Sequence, residues 1–187
     1  MERRELLKMV ALATGGVVIG GEFFLAGCKN KDAGTGMSFS QDDFAFLDEV
    51  AETIIPKTNT PGAKDAEVGK FMTVMVNDCY EEANQKIFHE GIKKLDEACN
   101  KMHGHSFMKA DAAHRKELLT ALDKEAKEYV KNKKKDDPTH YFTQMKQLTL
   151  LGFFTSKPAL TECFDYHAVP AKYDGAMPYK KGDKLFV

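Results

Sequence analysis

The sequence predicts an all-α fold, a small bundle of about five helices followed by a long irregular C-terminal tail. From Ser40 onward, apolar residues recur at helical spacings of three and four, and no segment alternates as a strand would. Turn-forming residues separate these stretches, and three of the six prolines lie beyond residue 155, where the helical spacing stops. The 187 residues, 43% hydrophobic and 29% charged, suit one folded domain preceded by a short targeting segment.

The N-terminus predicts an export signal over residues 1–27. A basic head containing Arg3 and Arg4 precedes an apolar run over residues 9–26 that ends in Leu-Ala-Gly-Cys at Cys28. The paired arginines resemble the twin-arginine signal, whose pathway carries folded proteins, and the last four residues resemble a bacterial lipobox. We therefore expect a lipid on Cys28 that anchors the chain on the periplasmic side of a bacterial membrane, with residues 28–39 as a flexible tether.

The domain predicted over residues 40–187 begins with three helices. Ser40 is a plausible N-cap for the first, which Pro56 ends, and a loop dense in turn formers follows over residues 57–63. The second and third helices follow from apolar stripes, and Gly104 ends the third. The stripes of the three helices are Phe44, Leu47, Ala51 and Ile54; then Val68, Phe71, Met72, Met75 and Cys79; then Phe88, Ile92, Leu95, Cys99 and Met102.

Two further helices and the tail complete the predicted domain. The fourth helix begins near Asp111 and buries Leu119, Leu122, Ala126 and Tyr129. The fifth runs from about Thr139 to Phe154 and is almost wholly apolar after Gln147, which predicts a central position. Residues 156–187 are predicted to form an extended, irregular wrap.

Composition and motifs exclude several classes of function. The 27 basic and 28 acidic residues give no reason to expect a nucleic-acid partner, and the lysine-rich run at 131–135 is balanced by the acids that follow it. The mature chain has no dinucleotide fingerprint, P-loop, HExxH or GxSxG motif, so we predict no catalytic, cofactor-binding or metal-binding residue in it. Cys79 and Cys99 are predicted to be buried thiols, and a disulfide involving either of them or Cys163 remains open.

The histidines offer the main alternative to a non-catalytic chain. His103 and His105 could supply two imidazoles to a metal, but no acid or cysteine cluster lies nearby, so a polar loop is favoured. His140 is predicted to be a surface residue at a helix N-terminus. His167 could form structural hydrogen bonds or reach a partner's site from the tail.

Residues 48–63, which read Asp-Glu-Val-Ala-Glu-Thr-Ile-Ile-Pro-Lys-Thr-Asn-Thr-Pro-Gly-Ala, resemble the hallmark segment of the gluconate 2-dehydrogenase subunit 3 family. Residues 148–156 and 166–179 resemble its C-terminal motifs, so the resemblance spans most of residues 40–180. Many relatives have Asp at the position of Asn59, so an ionic contact of the family at that position is in doubt here.

The resemblance implies a small, cofactor-free subunit of a periplasmic flavoprotein dehydrogenase. Its large partner in such systems is a glucose–methanol–choline-type oxidoreductase that holds FAD and oxidises a sugar or sugar acid. A cytochrome c subunit, with haem c, often takes the electrons. The small subunit is expected to help the partner mature and to carry it through the twin-arginine pathway as a folded pair.

A partner interface is expected to involve the loop and the tail. The residues of this hypothesis are Pro56, Thr58, Asn59, Pro61, Phe164, Tyr166, His167, Tyr173 and Tyr179. The alternative for the aromatic residues is that they close the bundle's own core. Two other functions stay open: a free-standing envelope lipoprotein that binds a ligand or acts as a scaffold, and a catalytic protein that uses His103, His105 or His167.

Overall fold

Five α-helices make up more than half of the residues that a computed structural model describes, which are residues 38–135, 137–169, 172 and 174–187. The helices are α1 Gln41–Ile54, α2 Val68–Cys79, α3 Glu82–His103, α4 Ala112–Asn132 and α5 Tyr141–Phe154. The smaller elements are a 3-10 turn at Phe107–Lys109, a π-helical turn at Ala159–Cys163, and the strands β1 Phe164–Asp165 and β2 Leu185–Phe186. The predicted helical bundle is confirmed.

Local side-chain chemistry sets the helix ends at the predicted positions. The Ser40 hydroxyl accepts the N–H of Asp43 at 3.2 Å, and the Asp43 carboxylate accepts the N–H of Ser40 at 2.8 Å, which forms a capping box. Gly104 ends α3 with φ of 78°, a left-handed conformation that glycine adopts without strain. The Asp111 carboxylate accepts the N–H of His114 at 2.8 Å and caps α4.

Successive helices run in opposite directions, so the bundle has two distinct ends. A Cβ added at Gly91 in the first half of α3 would lie 2.6 Å from the Cβ of Tyr141, the first residue of α5. A Cβ added at Gly152 near the end of α5 would lie 2.6 Å from the ring of Phe71 near the start of α2. We call the end where α1, α3 and α5 begin the tether end, and the end where they finish the loop end.

Helix α5 occupies the predicted central position. It contacts each of the other four helices and buries Phe142, Met145, Leu148 and Phe153 in the core. Its outer face is not covered, since Leu150, Leu151 and Phe154 remain 37%, 47% and 48% exposed. The described core residues all belong to a compact unit formed by residues 37–187.

The cysteine prediction is half wrong. Cys99 is fully buried, but Cys79 is exposed, because it lies one turn beyond Val76, the last buried residue of α2. Met102, placed on the buried stripe of α3, is also 46% exposed, since it lies in the last turn of that helix, beyond Cys99. Cys79, Cys99 and Cys163 are all free thiols.

The tail contains short regular elements that were not predicted. Strands β1 and β2 form a parallel pair with Phe164 opposite Leu185 and Asp165 opposite Phe186. Beyond the strands, the N–H of His167 donates to the carbonyl of Val187 at 2.9 Å. Strands of two residues show no alternating pattern, and their pairing joins positions about twenty residues apart, so the sequence gives no local sign of them.

Phe39 fixes the start of the described chain at the tether end. Its ring stacks on the His89 imidazole with centroids 4.0 Å apart, and its edge meets Phe88 at 6.1 Å. The Nε2 atom of His89 is buried and has no hydrogen-bond partner in the described part of the chain. Burial therefore disfavours the charged imidazole and lowers the pKa of His89, while Asp43 opposes this effect and Lys93 reinforces it.

This environment predicts that the domain loses stability when His89 is protonated. With the folded-state pKa lowered, the unfolded chain binds the proton more readily, so stability is full above about pH 6.5 and falls as the pH decreases further. The free energy of unfolding, measured in urea, should fall less between about pH 7.5 and about pH 5.5 for His89→Phe than for the unmodified protein, because phenylalanine keeps the stack on Phe39 but cannot titrate. Equal losses in the two proteins would contradict this role of His89.

Candidate functional site

The hallmark loop, defined as residues 56–63, is closed at its neck by one carboxylate of α1. The Oε1 atom of Glu52 accepts the N–H of Lys57 at 2.8 Å, and its Oε2 accepts the N–H of Lys64 at 2.9 Å. The two oxygens of this one side chain bind the backbone where the loop begins and just after it ends. Glu52 therefore holds the two ends of the loop at a fixed separation.

The close approach of this carboxylate explains the glycine in the loop. A Cβ added at Gly62 would lie 2.6 Å from both carboxylate oxygens of Glu52. The N–H of Gly62 donates to Asp65 at 3.0 Å, and the ammonium of Lys57 contacts the other oxygen of that carboxylate at 3.0 Å. These two donors hold the pKa of Asp65 below its usual value.

A second carboxylate of α1 connects the loop end to α4. Glu49 pairs with both Lys64 and Arg115. Arg115, whose side chain is only 16% exposed, also donates to the carbonyls of Phe107 at 3.1 Å and Met108 at 3.0 Å. Burial would raise the pKa of Glu49, but Lys64 and Arg115 outweigh it and hold that pKa below its usual value. These ion pairs therefore connect Lys64, the residue after the loop, to both α1 and α4.

The tip of the loop faces solvent. Pro56, Thr58 and Asn59 are exposed, whereas Pro61, the fourth loop residue of the interface hypothesis, is buried. The N–H of Thr58 donates to the carbonyl of Thr60 at 3.0 Å, which closes a tight turn. The loop thus presents a polar tip of defined shape, and Pro61 supports it from within.

Exposed apolar side chains are concentrated after residue 149. Of the fourteen exposed large hydrophobic residues in the described part of the chain, ten lie in this last segment. We call them the C-terminal apolar surface: Leu150, Leu151, Phe154, Tyr166, Val169, Met177, Tyr179, Leu185, Phe186 and Val187. Exposed apolar residues that are concentrated in one segment, rather than scattered singly, are typical of an interaction site.

Aromatic contacts connect the end of α5 to the tail. The rings of Phe154 and Phe164 lie 5.9 Å apart, and the His167 ring stacks on Phe186 at 4.8 Å. Phe164 packs partly against the core, as the alternative interpretation of the aromatics expected. Tyr166 and Tyr179 do not, since they are 49% and 63% exposed. Tyr173 lies outside the described residues.

The loop and the tail lie at the same end of the bundle. Helix α1 ends where the hallmark loop begins, and α5 ends where the tail begins. The contact between Gly152 and Phe71 places the last turn of α5 beside the first turns of α2, directly after the loop. The fold thus brings the hallmark loop and the start of the tail to the loop end.

The histidines cluster in a way that the sequence did not indicate. The His103 ring stacks on His114 at 4.2 Å, and His105 lies 5.4 Å from His114. Within the described ranges, no group of His, Cys, Asp or Glu is arranged to hold a metal ion. His140 lies at a helix N-terminus as predicted, where its Nδ1 accepts the N–H of Phe142 at 3.3 Å, but its side chain is only 10% exposed rather than on the surface. His167 contacts Asp165 at 3.2 Å, a structural contact of the expected kind.

The carboxylates that shape the loop were missed as functional residues. Glu49 and Glu52 stand three apart on α1, one turn before a loop rich in proline and glycine, and this spacing places both on one helix face. That pattern could have indicated acceptors for the loop backbone. The predicted export residues Arg3, Arg4 and Cys28 lie outside the described residues. In the part of the chain that the structure describes, none of the helices has the length and apolar character needed to cross a membrane.

Comparison with known proteins gives one match. A family model described as gluconate 2-dehydrogenase subunit 3 matches residues 41–171, which is well over half of the chain. Neither a curated protein nor a solved structure matches. The matched range contains all five helices, the hallmark loop and the first part of the tail, and it confirms the resemblance found in the sequence.

Removing the Glu52 carboxylate should destabilise the hallmark loop. Glu52→Ala leaves the N–H groups of Lys57 and Lys64 without their acceptor, which should lower the free energy of unfolding by about 1–3 kcal/mol. Urea denaturation measures the change. Glu117→Ala, at an exposed position on α4, is the matched control and should be nearly neutral. If the two variants unfold alike, Glu52 does not hold the loop.

Proposed function

Because the chain belongs to the gluconate 2-dehydrogenase subunit 3 family, we propose that it is the non-catalytic small subunit of a membrane-associated, periplasmic dehydrogenase. Its catalytic partner is a glucose–methanol–choline-type subunit that holds FAD and oxidises a sugar or sugar acid. A third subunit carrying haem c is the expected electron acceptor in complexes that have one. The present chain aids maturation of the partner, carries it through the twin-arginine pathway and anchors it through Cys28.

The C-terminal apolar surface is the observation that carries this proposal. The ten exposed large hydrophobic residues after residue 149 leave apolar area in water that a partner would cover. Tyrosines are enriched among the residues that dominate interface energies, which favours Tyr166 and Tyr179 as anchors. An irregular tail can also cover a large area of a partner, although ordering it on binding costs entropy.

The hallmark loop supports docking in a different way. Its shape is set by Glu52 and Asp65 before any partner binds, so little conformational entropy is lost when the tip makes contact. The exposed tip is polar, with Thr58 and Asn59 able to form hydrogen bonds at the rim of an interface. Loop and tail together give an apolar patch beside a rigid polar element.

The export signal supports the carrier role. Arg3 and Arg4 resemble the signal of a pathway that moves folded proteins, so one signal can serve a preassembled pair. Cys28 in its lipobox-like context provides the anchor, because a multiply acylated cysteine holds a protein on a bilayer where one chain would not.

A free-standing envelope lipoprotein is the second candidate, and the tail itself favours it. Strands β1 and β2 pair with each other within this chain, and His167 stacks on Phe186, so the tail has internal structure without a partner. The two candidates differ in what the exposed tyrosines do. In the lipoprotein they are solvated, whereas in the dehydrogenase subunit they are buried on assembly.

Replacing the exposed tyrosines should weaken assembly without unfolding the bundle. The double variant Tyr166→Ser and Tyr179→Ser should lower the affinity for the co-expressed FAD-containing catalytic subunit at least about tenfold, because truncated interface tyrosines commonly cost over 1 kcal/mol each. Titration of the purified subunits measures this. Val74→Ser, at a side chain 51% exposed on α2, is the matched control. Unchanged affinity in the tyrosine variant would favour the free-standing lipoprotein.

Changing the paired arginines should retain both proteins in the cytoplasm. In Arg3→Lys with Arg4→Lys, the twin-arginine pathway should no longer recognise the signal, so the flavoprotein that depends on it should also stay inside. Cell fractionation with a flavin assay of each compartment gives the distribution. A flavoprotein that reaches the periplasm at the normal level would rule out the carrier role.

A further inference from the structure

A groove between the second half of α4 and the first ten residues of α5 combines an apolar floor with a basic rim. Its volume is about 510 Å³. Ala126 and Phe142 form the floor, and the exposed side chains of Val130 and Leu150 stand at its edges. Four lysines line it as well: Lys124, Lys127, Lys131 and Lys146. We call this surface the lysine groove.

The charges of the groove favour an anionic occupant. Its two acids, Asp123 and Glu128, pair with Lys127 at 2.7 Å, Lys146 at 2.6 Å and Lys131 at 2.7 Å, so four lysines face two carboxylates. The pair of Lys131 with Glu128 is solvent-exposed and therefore weak enough to rearrange when a stronger anion approaches, whereas Lys127 and Lys146 share the partly buried carboxylate of Asp123. Lys133, Lys134 and Lys135 follow just past the end of α4, and the next two residues, Asp136 and Asp137, reduce the net charge of this segment from +3 to +1.

The position of the tether identifies the anion source. The described chain starts beside Phe39, which packs on Phe88 and His89 in the first turns of α3, at the tether end. The lysine groove extends to the same end, because α4 finishes and α5 begins there. From Cys28 to Phe39 the chain can span at most roughly 40 Å when fully extended. A lipid on Cys28 would therefore hold this end of the bundle within about 40 Å of a bilayer.

We infer that the lysine groove and the lysines after it form a second membrane contact, in which anionic lipid headgroups meet Lys127, Lys131 and Lys146 while Val130 inserts among the upper acyl carbons. The inference rests on the proposed anchor at Cys28 for its orientation. The α2–α3 junction at the same end carries Asp78, Glu81 and Glu82, so the α4–α5 side turns toward the lipid and the acidic side turns away.

Vesicle binding by the unlipidated domain tests the surface apart from the anchor. Residues 37–187 form a compact unit that holds the described core, so this fragment can be used without signal or lipid. It should sediment with vesicles of 30% phosphatidylglycerol in phosphatidylcholine at least about tenfold more strongly than with pure phosphatidylcholine, at roughly fivefold per engaged lysine. Raising NaCl from about 0.05 M to about 0.3 M should weaken the binding.

Matched charge variants localise the contact. Lys127→Glu with Lys131→Glu should bind the phosphatidylglycerol vesicles at least about tenfold more weakly than the unmodified fragment. Lys101→Glu with Lys109→Glu makes the same change in net charge with exposed lysines at the loop end, and should bind nearly as well as the unmodified fragment. Val130→Asp, compared with Val74→Asp on α2, tests the apolar part, and urea midpoints verify folding of each variant.

Two results would overturn the inference: no preference for phosphatidylglycerol, or equal losses in the two lysine variants. Mass spectrometry of the exported full-length chain reports separately whether Cys28 carries lipid. A bare Cys28 would remove the proposed anchor, while the vesicle assay, which uses no lipidated protein, would still decide whether the lysine groove binds the membrane.

Discussion

The apolar character of α5 is the constraint from which the rest of the domain follows. Four surrounding helices cover the side of α5 that carries Phe142, Met145 and Leu148, but they leave Leu150, Leu151 and Phe154 partly in water. A monomer of this size has no further helix to place there, and the tail covers the gap only in part, where Phe164 meets Phe154. Apolar area left uncovered at the end of a central helix lowers the stability of the isolated domain. A partner that covers this area would restore the lost hydrophobic stabilisation, which links the packing of the core to docking.

Features governed by neighbouring residues could be predicted from the sequence, and those governed by distant pairing could not. The caps at Ser40 and Asp111 and the stop at Gly104 depend on atoms within four residues, so they appeared where the pattern placed them. The contact of His103 with His114 and the pairing of β1 with β2 depend on how the chain returns in space. Periodicity also shows which face of a helix is buried, but not how much of the length of that face the packing helices cover. For this reason Cys79, at the end of α2, was wrongly placed in the core.

The structure gives the hallmark segment a physical explanation. Glu49 and Glu52 act as acceptors and ion-pair partners for the loop, and Gly62 leaves the space that Glu52 occupies. Asn59 stands apart from this network, since its side chain is exposed and forms no hydrogen bond within the described residues. Replacing Asn59 would therefore leave the internal bonding of the loop intact.

The two ends of the bundle would separate the two contacts that the proposed carrier role requires. Phe39 and the Val130 end of the lysine groove lie at the tether end, whereas the hallmark loop and the start of the tail lie at the loop end, and the 22 residues of α3 span the roughly 33 Å between them. If both contacts shared one end, membrane and catalytic subunit would compete for the same surface, and anchoring would weaken docking. With opposite ends, binding of one would leave the other exposed, so a pair assembled before export could meet the bilayer afterwards without coming apart.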